Sequence, residues 1–123
     1  MVKNSNRKSV YDLEERTFQF AKNVRLVVKS LPISKANHED VKQLIRSSES
    51  IGANYREANE ALSKKDFLMR CKISRKESKE SMYWLRLIYE TNDLENDKEI
   101  LDLIKEAEEL KKILSSIIEK SKN

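Results

Sequence analysis

The sequence predicts an all-α protein, an antiparallel up-down-up-down four-helix bundle, from three observations. Its 123 residues contain one glycine and one proline, whereas all-β folds need many turns that use these two residues. Apolar residues recur at alternating intervals of three and four in four segments, which is the period of an amphipathic helix. Short connections join the segments, as in a bundle. We predict helices over about residues 12–30, 38–62, 64–90 and 97–120.

The first predicted helix carries an apolar stripe and ends at a proline. Pro32 ends it because the residue before a proline is pushed out of the α region. Its stripe consists of Leu13, Thr17, Phe20, Val24, Val27 and Leu31, widened by Phe18, Ala21 and Val28.

The second predicted helix begins after Asn37, a residue type that caps helix N-termini well. Gly52 lies inside it, where glycine costs about 1 kcal/mol relative to alanine, so we expect close packing at that level. The apolar stripe consists of Val41, Leu44, Ser48, Ile51, Tyr55, Ala58 and Leu62.

The third predicted helix follows Ser63, whose sequence S-K-K-D resembles a capping box. The middle of its stripe is small and polar, which predicts a close helix crossing. The stripe consists of Phe67, Cys71, Ser74, Ser78, Met82 or Ser81, Leu85 and Ile88.

The fourth predicted helix, capped by Asn96, has a broad apolar face. That face consists of Ile100, Leu103, Ile104, Ala107, Leu110, Leu114, Ile117 and Ile118. Further large apolar residues on the third and fourth helices favour either partial exposure or an oligomer interface. We take Trp84, Tyr89, Phe67 and Tyr55 as anchors of the core or of such an interface.

Charge is distributed unevenly over a chain whose net charge is +4. Residues 63–90 carry eight basic and four acidic residues, whereas residues 97–121 carry five basic and seven acidic ones. This predicts either ion pairs between the two segments or a basic surface for phosphate. The phosphate candidates are Lys64, Lys65, Arg70, Lys72, Arg75, Lys76 and Lys79.

The ends of the chain and its location follow from composition. Residues 1–9 are polar and basic, and we predict a disordered tail before a single domain over residues 10–121. No apolar stretch approaches the roughly 18 residues of a membrane helix, and no signal peptide is visible. We therefore expect no membrane contact and a cytoplasmic location.

Residues that could support catalysis or bind a metal are few. Cys71 lies on an apolar stripe, where a cysteine is a small hydrophobe, and His38 is the only histidine that could activate it. The i, i+3 pair Glu77 and Glu80 has no matching ligands for a metal. The sequence thus predicts no enzyme, no metal and no cofactor.

A polar stripe lies beside the apolar stripe of the second helix. Arg46, Ser50, Asn54 and Glu57 follow at intervals of four, four and three. It is either a ligand-contacting surface or a structural network. We favour the network, in which Arg46 finds Glu partners and Glu57 finds Arg partners on helix 3 or on another subunit, because Glu57 would repel phosphate. Glu77 and Glu80 are counted in the same network.

Three segments resemble the bacterial four helix bundle family, also called the intervening-sequence protein family, over about residues 11–118. They are Y-D-L-E from Tyr11, R-S-S-E-S-I-G-A-N-Y-R-E-A-N-E-A-L-S-K-K-D-F from Arg46, and K-I-S-R-K-E-S-K-E-S-M-Y-W-L-R-L from Lys72. The matching positions include Arg46, Ser50, Asn54, Glu57, Asp66, Phe67, Lys76, Glu77, Glu80 and Trp84. Ser78 stands where the family pattern has alanine.

The resemblance implies a homopentamer without catalytic residues. It also implies similarity to the accessory protein of diversity-generating retroelements, a basic pentamer that binds nucleic acid and a reverse transcriptase. A ring would align the basic segments into a multivalent surface. Two functions stay open: binding of RNA or DNA without sequence readout, and a scaffold for another protein.

Overall fold

The described residues of the protein form four α-helices. A computed structural model describes the backbone of residues 2–94 and 97–122, and the side chains from residue 12 onward within these ranges. The helices are α1 (Val2–Val28), α2 (Lys35–Asn59), α3 (Lys64–Thr91) and α4 (Asp97–Ser121), and the described residues form no strand. Each helix packs on the next and α4 packs on α1, so α1 and α3 are diagonal. The predicted bundle is confirmed.

The bounds of α3 and α4 agree with the prediction to within one residue, whereas α1 begins about ten residues earlier. Residues 2–11 contain neither glycine nor proline, so nothing in the sequence stops the helix from extending. The side chains of residues 1–11 and the predicted cap Asn96 lie outside the described residues. The division into a tail and a domain stays a prediction.

The start of α2 differs from the prediction. Ser34, not Asn37, is the N-cap, and its hydroxyl oxygen accepts a hydrogen bond from the backbone N–H of Asn37 at 3.0 Å. The Asn37 side chain is buried and donates to the carbonyl oxygen of Pro32 and to the side-chain oxygen of Asn92, each at 2.9 Å. Asn37 therefore joins the α1–α2 connection to the end of α3.

The end of α2 also differs, because the helix stops at Asn59 instead of Leu62. The Glu60 N–H bonds the Glu57 carbonyl at 3.1 Å in a tightened last turn. Leu62, placed on the apolar stripe by the sequence, is fully exposed. Ser63 then caps α3 as predicted, accepting from the Asp66 N–H at 3.0 Å.

The core contains the predicted stripes almost completely. Phe18 is the second exception after Leu62, because its side chain is 54% exposed on the outer side of α1. The largest fully buried side chains come from all four helices and include Phe20, Val24, Leu44, Ile51, Leu85, Ile88, Ile100, Leu110, Leu114 and Ile118.

Small residues bring α2 close to its neighbours. A Cβ atom added at Gly52 would lie 2.9 Å from the Thr17 hydroxyl oxygen on α1, so only glycine fits without displacement. On the other side, the Ser74 hydroxyl donates to the Ile51 carbonyl at 2.7 Å, and the Ser47 and Ser81 hydroxyls are 2.9 Å apart. Both predicted close contacts are confirmed.

Candidate nucleic-acid interface

Four lysines form one exposed stripe along α3. Lys65, Lys72, Lys76 and Lys79 follow at intervals of seven, four and three, so their Cα atoms lie on one face of the helix. All four are exposed. From Lys65 to Lys79 the helix advances by fourteen residues, or about 21 Å at 1.5 Å per residue. We call these four residues the lysine stripe.

No residue of the lysine stripe forms an ion pair with a described residue. Five acidic residues of α4 pair with residues outside the lysine stripe. Glu106 holds Arg16 of α1 through two hydrogen bonds of 2.7 and 2.9 Å. The other pairs lie within one or two turns of each other: Lys98–Asp102, Lys111–Glu108, Lys112–Glu109 and Lys122–Glu119. The predicted pairing of α3 with α4 is thus not found among the described residues.

The other three phosphate candidates of α3 lie outside this stripe. Arg70 is half-buried and donates to the Asn54 side-chain oxygen of α2 at 3.2 Å. Arg75 is half-buried beside the stripe, and Lys64 is exposed at the first turn of the helix. The structure therefore brings together four of the seven candidate residues.

Apolar and aromatic side chains lie beside the lysine stripe. A surface depression of about 730 Å³ is lined by Leu68, Met69 and Ile73 together with the alkyl parts of three stripe lysines. Tyr83 continues the stripe one turn after Lys79 and is 61% exposed. The sequence reasoning missed Tyr83, although its spacing of four from Lys79 placed it on the same face.

Polar contacts that involve Arg46, Ser50 and Asn54 lie within α2 and between α2 and α3. Arg46 pairs with Glu80, and its second nitrogen lies 3.8 Å from a carboxylate oxygen of Glu77. Asn54 donates to the Ser50 hydroxyl at 2.9 Å and accepts from Arg70. These contacts support the structural interpretation of the polar stripe.

Glu57 does not join this network. It is exposed and has no ion-pair partner among the described residues of this chain. The predicted partner on helix 3 is therefore not found. A partner on another subunit stays a prediction.

Glu77 is the buried carboxyl group of the network. It is 5% exposed, and one of its carboxylate oxygens accepts no hydrogen bond. Burial raises the pKa of Glu77, and the neighbouring charge of Glu80 raises it further, whereas Arg46 and Lys76 act in the opposite direction. Arg46 thus compensates two adjacent carboxylates with one charge.

The four predicted anchors all contact the interior of this chain. Tyr55 is buried, and Trp84 and Tyr89 are partly buried and pack against the main core. Phe67 packs with Cys71 and Ile118 at the other apolar cluster. All four thus pack against the interior of this chain. Leu26, Met69, Tyr83 and Leu101 are exposed large side chains on helix faces that the sequence did not single out.

The described residues form no metal-binding group of three or more His, Cys, Asp or Glu side chains. Burial raises the pKa of Cys71 to about 11, so its thiol stays protonated at neutral pH. Within the part of the chain that the structure describes, no helix is long and apolar enough to cross a membrane.

These features define a four-helix bundle with a core partly built from small polar residues and, on α3, a stripe of lysines without an ion pair to a described residue. The sequence model of the family described as 23S rRNA-intervening sequence protein matches residues 11–116, and the chain belongs to this family. A crystal structure of a protein of unknown function from the S23 ribosomal protein family of Bacteroides thetaiotaomicron VPI-5482 is similar. It is 33% identical, with a TM-score of 0.77, over 86% of this chain and 97% of that chain. A comparison with curated proteins finds no match.

Proposed function

We propose that this protein binds the phosphate backbone of nucleic acid, RNA above all, through the lysine stripe of α3. The observation that carries the proposal is that four exposed lysines share one helix face without an ion pair to a described residue. Lysines that are already paired would have to break those pairs before they could neutralise phosphates. A family named for intervening sequences of ribosomal RNA agrees with an RNA ligand in the cytoplasm.

The contact is electrostatic and does not read sequence. Lysine is a point charge on a flexible stem, so it neutralises phosphates without selecting a base. Every phosphate that a lysine neutralises releases counterions, which makes the affinity depend on salt. Four lysines per subunit give an expected slope of about −3.6 in a plot of log affinity against log salt for a duplex.

We propose further that the protein is a homo-oligomer; a pentamer is what the family resemblance implies. Phe18 and Leu26 on the outer face of α1 are each more than half exposed. They flank a groove of about 650 Å³ between α1 and α2. Since α1 is diagonal to α3, assembly through this groove leaves the lysine stripe accessible. Large exposed apolar side chains of this kind favour a contact between chains.

Light scattering tests this assembly. We expect a mass of several chains for the unchanged protein and a smaller one for Phe18→Ser with Leu26→Ser. A single-chain mass for the unchanged protein would reject the oligomer, and an unchanged mass in the variant would reject this interface.

Fluorescence anisotropy tests nucleic-acid binding. A labelled RNA hairpin and a labelled DNA duplex are titrated at several salt concentrations. The test variant is Lys72→Gln with Lys76→Gln, and the matched control is Lys98→Gln with Lys112→Gln. Both variants lose two positive charges, but the control lysines are paired on α4.

We expect the test variant to bind at least tenfold more weakly at low salt, with a salt slope smaller by about 1.8. The control should stay within about twofold of the unchanged protein, because its lysines already have partners. An equal loss of affinity in both variants would show that binding depends on the net charge of the protein and not on the position of the lysines. Absence of binding at low salt would reject the proposal and favour the alternative of a protein scaffold.

A further inference from the structure

Tyr83 is an exposed aromatic ring at one end of the lysine stripe. Among the described aromatic residues, only Tyr83 and Phe18 are more than half exposed. Tyr83 lies four residues after Lys79 and seven after Lys76, so the ring and both ammonium groups are on one side of α3. Phe18 of α1 also lies in line with exposed lysines, Lys22 and Lys29, but Tyr83 is the exposed ring that continues the lysine stripe.

The position of the Tyr83 ring is constrained by a neighbouring aromatic side chain. The ring centroids of Tyr83 and Trp84 are 4.9 Å apart, and the ring planes are inclined by 84°, which is an edge contact. Trp84 itself packs against the main core. An aromatic edge contact of this kind is favourable, and it holds the tyrosine ring while most of its surface stays open to solvent.

The acidic residues nearest to Tyr83 along its face are compensated. Glu80, three residues before it, pairs with Arg46 of α2, and Glu90, two turns after it, accepts a 2.6 Å hydrogen bond from Arg86. Unpaired carboxylates here would repel a phosphate strand. Each of these two carboxylates has a cationic partner close to it, with Arg46 shared between Glu80 and Glu77, and Lys79 lies one turn before the ring on the same face.

We propose that Tyr83 stacks an unpaired base while the lysine stripe binds the adjacent phosphates, which makes the preferred ligand single-stranded RNA or a single-stranded end. This inference rests on the proposed nucleic-acid binding and adds the strand state of the ligand. Bases that are paired in a duplex stack on one another and do not offer a face to a side chain, whereas unpaired bases stack on aromatic rings.

The dimensions fit a short single strand. From Lys72 to Tyr83 the helix advances eleven residues, or about 16 Å. That is the length of about five stacked nucleotides at about 3.4 Å each. Three lysines and one ring thus follow the path of one strand, without any group that would read the edge of a base.

The test compares two labelled probes, a single-stranded 12-nucleotide oligoadenylate and a blunt 12-base-pair RNA duplex. The variants are Tyr83→Leu, which keeps an apolar side chain but removes the aromatic face, and Tyr83→Phe, which keeps the face. The lysine variant Lys72→Gln with Lys76→Gln is measured in parallel. Circular dichroism melting checks that every variant stays folded at the assay temperature.

We expect Tyr83→Leu to weaken binding of the single strand at least fivefold, since one stacked base contributes about fivefold to 150-fold in affinity. Duplex binding should change by less than about twofold, and Tyr83→Phe should bind both probes like the unchanged protein. The lysine variant should lose affinity for both probes.

Several outcomes would overturn the inference. An equal loss on both probes would make Tyr83 a packing residue, and no loss on the single strand would remove it from the interface. A loss of single-strand binding in Tyr83→Phe as well would assign the effect to the hydroxyl. If the unchanged protein binds neither probe at low salt, the proposed function itself fails, a result distinct from all three.

Discussion

Helices α4 and α2 fill the same bundle in different ways. The buried residues of α4 are isoleucine, leucine and one alanine, whereas those of α2 include Asn37, Ser47, Ser48 and Gly52. The α4 contact is held by apolar area, while the α2 contacts depend on close approach and on hydrogen bonds such as Ser74 to the Ile51 carbonyl. We therefore expect α4 to tolerate changes in the shape of its buried side chains better than α2. The close contacts and hydrogen bonds of α2 fix the register of the neighbouring helices.

The largest effect is expected where apolar area is lost. Leu110 is fully buried in the main core, so Leu110→Ala removes packed atoms and leaves a cavity. We expect a loss of about 2–5 kcal/mol in the free energy of unfolding, measured by urea denaturation. Leu101→Ala on the same helix is the control, since that side chain is 38% exposed. A loss as large at Leu101 would contradict the assignment of the core face.

The next effect comes from adding atoms to α2. Gly52→Ala would place a Cβ 2.9 Å from the Thr17 hydroxyl oxygen and 3.2 Å from the Thr17 Cβ. Thr17 is fully buried and its hydroxyl donates to the Glu14 carbonyl at 2.9 Å, so it cannot easily move. We expect a net loss of about 1–3 kcal/mol, although alanine is the better helix former.

A double variant sharpens this prediction. Thr17→Ala removes the hydroxyl that the new methyl group at position 52 would meet. The double variant should therefore lose less free energy of unfolding than the two single variants lose together. Additive losses in thermal or urea unfolding would show that the two residues do not meet. A stabilised Gly52→Ala protein would mean that α1 and α2 can separate at no cost.

The smallest effect concerns the buried carboxyl group. The pKa of Glu77 is raised in the folded protein by burial and by Glu80. The folded state therefore binds the carboxyl proton of Glu77 more tightly than the unfolded chain does. The contribution of this proton to the free energy of unfolding is complete below the ordinary pKa of 4.5 and is lost as pH rises through the raised pKa.

We therefore expect stability to fall less with rising pH in Glu77→Gln than in the unchanged protein. Urea unfolding between about pH 4 and pH 8 measures the two slopes. Glu90→Gln on the same helix is the control, because Glu90 is exposed and is not among the groups that shift the pKa of Glu77. Parallel slopes for the unchanged protein and Glu77→Gln would show that Glu77 is charged at no cost, compensated fully by Arg46.

The fold was predictable because burial has the period of the helix. Leu13, Phe20, Val24 and Val27 recur at helical spacing, and each is buried as expected. The ends of α2 were predicted less well. Ser34 and Asn37 are both good N-caps, and the choice between them depends on the contact of Asn37 with Asn92, a residue 55 positions away.

The candidate site was predictable only in part. The sequence identified seven basic residues but could not separate the exposed, unpaired lysines from Arg70, which bonds to Asn54. Tyr83 was not selected because exposure depends on which face of α3 the other helices cover. Trp84, one residue later, is partly buried against the core instead.

The helical class, the number of helices and most of the buried residues follow from the amino-acid sequence, since hydrophobic period and the rarity of glycine and proline act locally along the chain. Which charges are paired depends on the packing of the four helices. An ion pair needs two side chains within a few ångströms, and the partners Arg16 and Glu106 or Arg46 and Glu80 lie far apart in sequence. The lysine stripe stays without ion pairs because the fold brings no described carboxylate within ion-pair distance of its four ammonium groups.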